Sequence, residues 1–102
     1  MSTYAWMITK DSLADNDSES AVGVQGPRDA SDAMIAHLEA GKGHTFRMYD
    51  GDGELYYTGR ATWDADAEGS EEACYGPLGD FGGPGAGCAE IRWHGHREWD
   101  CG

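Results

Sequence analysis

Apolar and polar positions alternate with a period of two in several short stretches of this chain, and one stretch has the period of a helix. Residues 4–9 (YAWMIT) set Tyr4, Trp6 and Ile8 against Ala5, Met7 and Thr9, which predicts a strand closed by the polar run KDSLADNDSES. Residues 21–24 predict a second short strand ended by Gly26-Pro27, where proline removes a donor and fixes φ. Residues 31–40 predict the helix. Ser31 stands as N-cap, Asp32 in the first turn suits the dipole, Gly41 follows the end, and Met34, Ile35 and Leu38 form the buried stripe.

Residues 45–49 and 54–63 flank Asp50-Gly51-Asp52-Gly53, whose Asp-Gly pairs supply the positive φ of a tight hairpin turn. Leu55, Tyr57, Ala61 and Trp63 fall on one side of the second strand; Glu54, Tyr56, Thr58, Arg60 and Thr62 fall on the other, with Gly59 as a candidate bulge. From residue 64 to 87 an acidic run leads into YGPLGDFGGPGAG, a composition that predicts an irregular loop pinned by Leu78 and Phe81. A last strand over 88–93 points Ala89, Ile91 and Trp93 inward, and a turn at Gly95 could fold residues 97–99 back onto it. The pattern predicts an α+β fold: a small antiparallel sheet of four to six strands in the order β-β-α-β-β-β, one helix packed on one face and the other face wholly or partly wet.

Length confines this to one domain, residues 1–102, with a single core. Charge changes the picture more. Nineteen carboxylates against seven Lys and Arg give −12, more than solubility requires of so small a domain. Such a field repels phosphate backbones and anionic headgroups and attracts basic surfaces, so the expected partner is a basic protein surface, with no direct nucleic acid and no membrane. Apolar runs far shorter than a membrane span, and no basic-then-apolar leader, predict a soluble cytoplasmic protein. Cys74, Cys88 and Cys101 are an odd number, which in that setting predicts reduced thiols, one bridge staying open as an alternative.

The stretch AVGVQGPRDASDAMIAHLEAGKGHTFRMYDGDGELYYTGR and the later PLGDFGGPGAGCAEIRW resemble a group of small acidic uncharacterised proteins of actinobacterial genomes, phages and plasmids. FRMYDGDGELYYTGR and DFGGPGAGCAEIRW are the most specific parts. The resemblance implies a mobile-element setting, which favours an inhibitor or accessory protein over a housekeeping enzyme.

Between Arg60 and Arg92 stand Asp64, Asp66, Glu68, Glu71, Glu72, Asp80 and Glu90 with no base among them. On an extended chain alternate residues are about 6.6 Å apart on one side. Asp64, Asp66 and Glu68 would then form a charge row within a factor of about two of the 3.4 Å spacing of a DNA strand. That predicts a nucleic-acid mimic of the anti-restriction, anti-CRISPR or anti-repressor kind, with Tyr49, Tyr56 and Arg60 as anchors; the alternative is a solvated acidic loop. Asp64-x-Asp66-x-Glu68-Gly69 also matches the start of a calcium loop, but Tyr75 stands where the bidentate Glu belongs. Cys88, His94, His96 and Cys101 offer the two thiolates and two imidazoles of a tetrahedral zinc site, in a spacing of no standard pattern. No nucleophile elbow, Walker loop, dinucleotide fingerprint or H-E-x-x-H occurs, so the expectation is a non-catalytic binding protein without a cofactor, a zinc-binding accessory domain being the alternative.

Overall fold

The computed structural model describes residues 3–12, 22–67 and 70–101. Within them β1 (Tyr4–Asp11), β2 (Gln25–Gly26), β3 (His44–Tyr49), β4 (Leu55–Trp63) and β5 (Glu90–Trp93) form one antiparallel sheet, in the spatial order β2-β1-β4-β3-β5. The α+β class and the strand number agree with the sequence pattern. The second strand sits slightly later than expected, at Gln25–Gly26, although Gly23 and Val24 already exchange backbone bonds with Ile8. Most of the acidic run after β1 lies outside the described residues.

Asp50 builds the hairpin between β3 and β4. Its Oδ1 accepts from the backbone N–H of Asp52 at 2.9 Å and of Glu54 at 2.8 Å, and Gly53 takes the left-handed φ of +84°. Gly59 is not the bulge. It pairs squarely with Ile8 and Phe46, and the register slips instead on β1 between Ile8 and Lys10, and on β4 opposite Met48 and Tyr49. Glycine is required there because a Cβ would overlap the Phe46 ring and the Met7 carbonyl.

Alternation places Tyr4, Trp6, Ile8, Phe46, Met48, Tyr57, Ala61, Ile91 and Trp93 on one side of the sheet, where they form the main core. The opposite side carries α1 (Asp32–Glu39), capped as expected by Ser31 Oγ, which accepts from the Met34 N–H at 3.2 Å. Eight residues cannot hold a helix alone in water. Leu38, fully buried, fastens it over β1 and β4, and Arg60 Nη2 donates to the Leu38 carbonyl at 2.7 Å.

The main correction concerns residues 71–86. They wind into α2 (Glu71–Pro77), a wide π turn (Leu78–Gly82) and α3 (Gly83–Ala86), and this helical layer, in place of α1, covers the apolar side of the sheet. Local chemistry gives a start: Ser70 Oγ accepts from the Ala73 N–H at 3.2 Å. Tertiary contact supplies the rest. Ala73, Cys74, Pro77 and Leu78 are buried, and the glycines that weaken a helix in isolation let the layer lie close on the sheet. A Cβ at Gly76 would overlap the Tyr4 ring, and one at Gly82 would strike Met48 Sδ. Among the described residues no helix is long and apolar enough to cross a membrane.

Gly76→Ala separates propensity from packing. Alanine favours a helix by about 1 kcal/mol, whereas overpacking against a buried ring costs about 1–3 kcal/mol. A net loss, read as a lower urea midpoint, is expected for Gly76→Ala, and a change within about 0.5 kcal/mol for Gly51→Ala, where a Cβ meets nothing within 4 Å.

Candidate functional site

Tyr4 and Trp6 are bulky aromatics with polar tips, and burying them obliges each tip to find a partner. Asp80, in the π turn, provides one for both. Its Oδ2 accepts from Tyr4 Oη at 2.6 Å and from Trp6 Nε1 at 3.1 Å, while the residue itself stays exposed. Phe81 packs beside it against Trp6 and Tyr57, at ring separations of 5.4 and 5.1 Å. The widened turn thus brings two successive side chains onto the sheet, a distortion common at functional positions. Trp6, Val24, Gln25, Gly26, Pro27, Arg28, Asp80 and Phe81 line a groove of about 410 Å³ at this point.

The extended acidic row does not form. Residues Ala65–Ala67 make a 3₁₀ turn, with the Ala67 N–H donating to the Asp64 carbonyl at 2.9 Å, because Ala67 is drawn into the core. Asp64 is exposed; Glu68 lies outside the described residues, as do the side chains of Asp66, Glu71 and Glu72. Glu71 and Glu72 occupy the first turn of α2, where negative charge stabilises a helix irrespective of any partner.

Three arginines gather on the other side of the sheet. Arg47 and Arg92 are register partners on β3 and β5, both exposed, and with Arg97, Thr45, Tyr49 and Asp100 they border a groove of about 230 Å³. Arg92 lies 5.6 Å over the Tyr49 ring and pairs with Glu90 at 3.1 Å. Sequence reading missed this cluster, although the period of two already put Arg47 and Arg92 out of step with the buried Phe46, Met48, Ile91 and Trp93.

The three expected anchors part company. Tyr49 sits beneath Arg92, Arg60 is engaged by the end of α1, and Tyr56 packs against the main core beside Tyr57 because the β4 register slip turns it there. The Tyr56 hydroxyl is pushed above its ordinary range by Asp50, whose own carboxyl is held low by the Glu54 and Asp52 amides.

Cys88, His94, His96 and Cys101 are not assembled as ligands: among the described residues no group of three or more His, Cys, Asp or Glu is placed to hold a metal ion. Packing claims Cys88, His96 and Cys101 instead, while His94 stays exposed. His96 stacks on Trp99 at 3.7 Å and His44 on Trp63 at 4.9 Å, with Trp93 edge-on to Trp63, while Cys101 Sγ donates to the Trp99 carbonyl. All three cysteines are free thiols. Burial pushes Cys74 and Cys88 up to about 11, so both are protonated thiols near neutrality.

Comparison of the chain with protein-family models, curated proteins and solved structures gives no match.

Two outcomes are expected. Tyr4→Phe removes a hydrogen bond to a carboxylate and should cost about 1.5–3 kcal/mol in urea unfolding. Raised thiol values mean that folding favours the protonated Cys74 and Cys88. That stability is fully present below the ordinary value of 9.0 and is lost as pH rises towards about 11. The urea midpoint should therefore fall more steeply over this range in the wild type than in Cys74→Ala/Cys88→Ala.

Proposed function

We propose that the chain is a non-catalytic binding protein that sets an acidic surface against a basic surface of a protein partner and excludes that partner's nucleic acid by charge competition. What supports this reading is the net charge of −12 together with a layer over the main core that contains no Lys or Arg. From Ala61 to Ile91 the chain contains no Lys or Arg, and this segment supplies the layer over the main core. Three of the five arginines, Arg47, Arg92 and Arg97, border the groove on the far side. Glu90 and Asp100 stand with those arginines and offset part of their charge there, and the net acidic field of the chain strengthens at low salt.

The mimicry is electrostatic. A helical layer, in place of an extended row, spreads charge over a surface, and occupation of a basic groove requires complementary potential more than a matched phosphate spacing. The mobile-element resemblance agrees with an inhibitory role.

Affinity capture from a host lysate at low salt tests the reading, with wild type compared against a variant carrying Asn at Asp64 and Asp66 and Gln at Glu68, Glu71 and Glu72. A specific partner should be retained by the wild type, released by salt and displaced by duplex DNA. Exposed pairs are worth about 0.2–1 kcal/mol each, so the variant should bind that partner at least roughly fivefold more weakly. Equal retention by both proteins, or binding indifferent to salt and DNA, refutes the proposal.

A further inference from the structure

The groove at Asp80 differs from a solvated acidic patch because its carboxylate is already held in place. Oδ2 is fixed by two buried donors, Tyr4 Oη and Trp6 Nε1, and Oδ1 makes no hydrogen bond among the described residues. Val24, Pro27, Phe81 and the edge of Trp6 supply its apolar lining, beside Gln25 and Arg28. Val24 and the neighbouring Val22 are two of the large apolar side chains left exposed among the described residues, at 37% and 53%. An apolar channel leading to one fixed negative charge matches an aliphatic stem with a cationic tip. Phe81, half-buried, also offers ring surface to a cation.

We infer that this groove is a receptor for a lysine side chain of the protein partner, the stem lying along Val24 and Phe81 and the ammonium meeting Asp80 Oδ1. Lysine is favoured over arginine by the oxygen count. A guanidinium takes a carboxylate best through two parallel bonds, and here Oδ2 already accepts two; an ammonium needs a single acceptor. The net charge of −12 draws a cation in, and a carboxylate positioned beforehand loses less freedom on binding than a mobile surface one. Arg28 borders the same groove and opposes an incoming cation.

The inference rests on the reading of the chain as a binder of basic protein surfaces, and narrows it to one contact. Titration of the ¹⁵N-labelled protein with a blocked Ala-Lys-Ala tripeptide tests it, read at the Trp6 indole N–H. Saturable shifts there are expected. The same peptide with norleucine or ε-acetyl-lysine should bind about tenfold more weakly, and the arginine peptide no more tightly than lysine. Asp80→Asn keeps an acceptor for Tyr4 and Trp6 while removing the charge, and should weaken lysine binding about tenfold.

Arg28→Gln lies outside the tie between helical layer and sheet, and should strengthen lysine binding even if Asp80→Asn fails to fold. Equal binding of the norleucine peptide, preference for arginine, or indifference to Arg28→Gln overturns the inference. The variant neutralised at Asp64, Asp66, Glu68, Glu71 and Glu72 should still bind the lysine peptide. Loss of capture with lysine binding retained counts against the broader acidic surface alone. Capture retained without lysine binding counts against this groove alone.

Discussion

The acceptance of two buried donors by one carboxylate, Tyr4 and Trp6 onto Asp80, is the constraint around which the rest of the molecule is arranged. Without an acceptor, each aromatic tip would carry the desolvation cost of a buried unpaired polar group, roughly 1–3 kcal/mol. The acceptor comes from a segment more than seventy positions away in sequence, so the fold must bring that segment back across β1. The glycines of the segment then acquire a purpose. Gly76 lies on the Tyr4 ring and Gly82 on Met48, close approaches at which an added side chain would force its neighbour to shift. Trp93 Nε1 makes a second such tie, to the Cys74 carbonyl at 3.2 Å, at the other end of the layer.

Charge follows from the same arrangement. A layer that must offer a carboxylate inward, begins with Glu71 and Glu72 at a helix start and contains no base is negative by construction. The strand residues facing away from the core are free of that demand, and there Arg47 and Arg92 stand side by side. Glu90 pairs with Arg92 and Asp100 borders the same groove, so those arginines are partly offset on their own side. At Asp80 the proposed recognition role would share one side chain with the structural one, one oxygen serving each.

Much of the fold was legible because its signals are local. Ser31 and Gly41 bound the helix, Asp50 to Gly53 make the hairpin, and the alternation in YAWMIT sets the buried side of β1. The helical layer was not legible, since proline and glycine argue against a helix until packing on Tyr4 and Met48 is known. Tyr56 illustrates a smaller failure: one register slip sent it to the core side while Arg60, further along the same strand, remained opposite. Of the candidate site, the acidic excess could be read directly. The zinc set was plausible by residue type alone, and geometry gave its histidine and cysteine to the tryptophan cluster instead.

By itself the sequence determined the charge, the strand alternation, the helix caps and the turn, because each depends on residues within a few positions of one another. Tertiary structure alone decided which side of the sheet the Gly- and Pro-rich segment covers, and that Asp80 is an anchored acceptor among otherwise interchangeable acids. It also decided that the arginines share a groove. Those outcomes depend on long-range contacts, where the energy of filling a core and pairing buried donors outweighs local preference by several side chains' worth of burial, each about 1.5–3 kcal/mol.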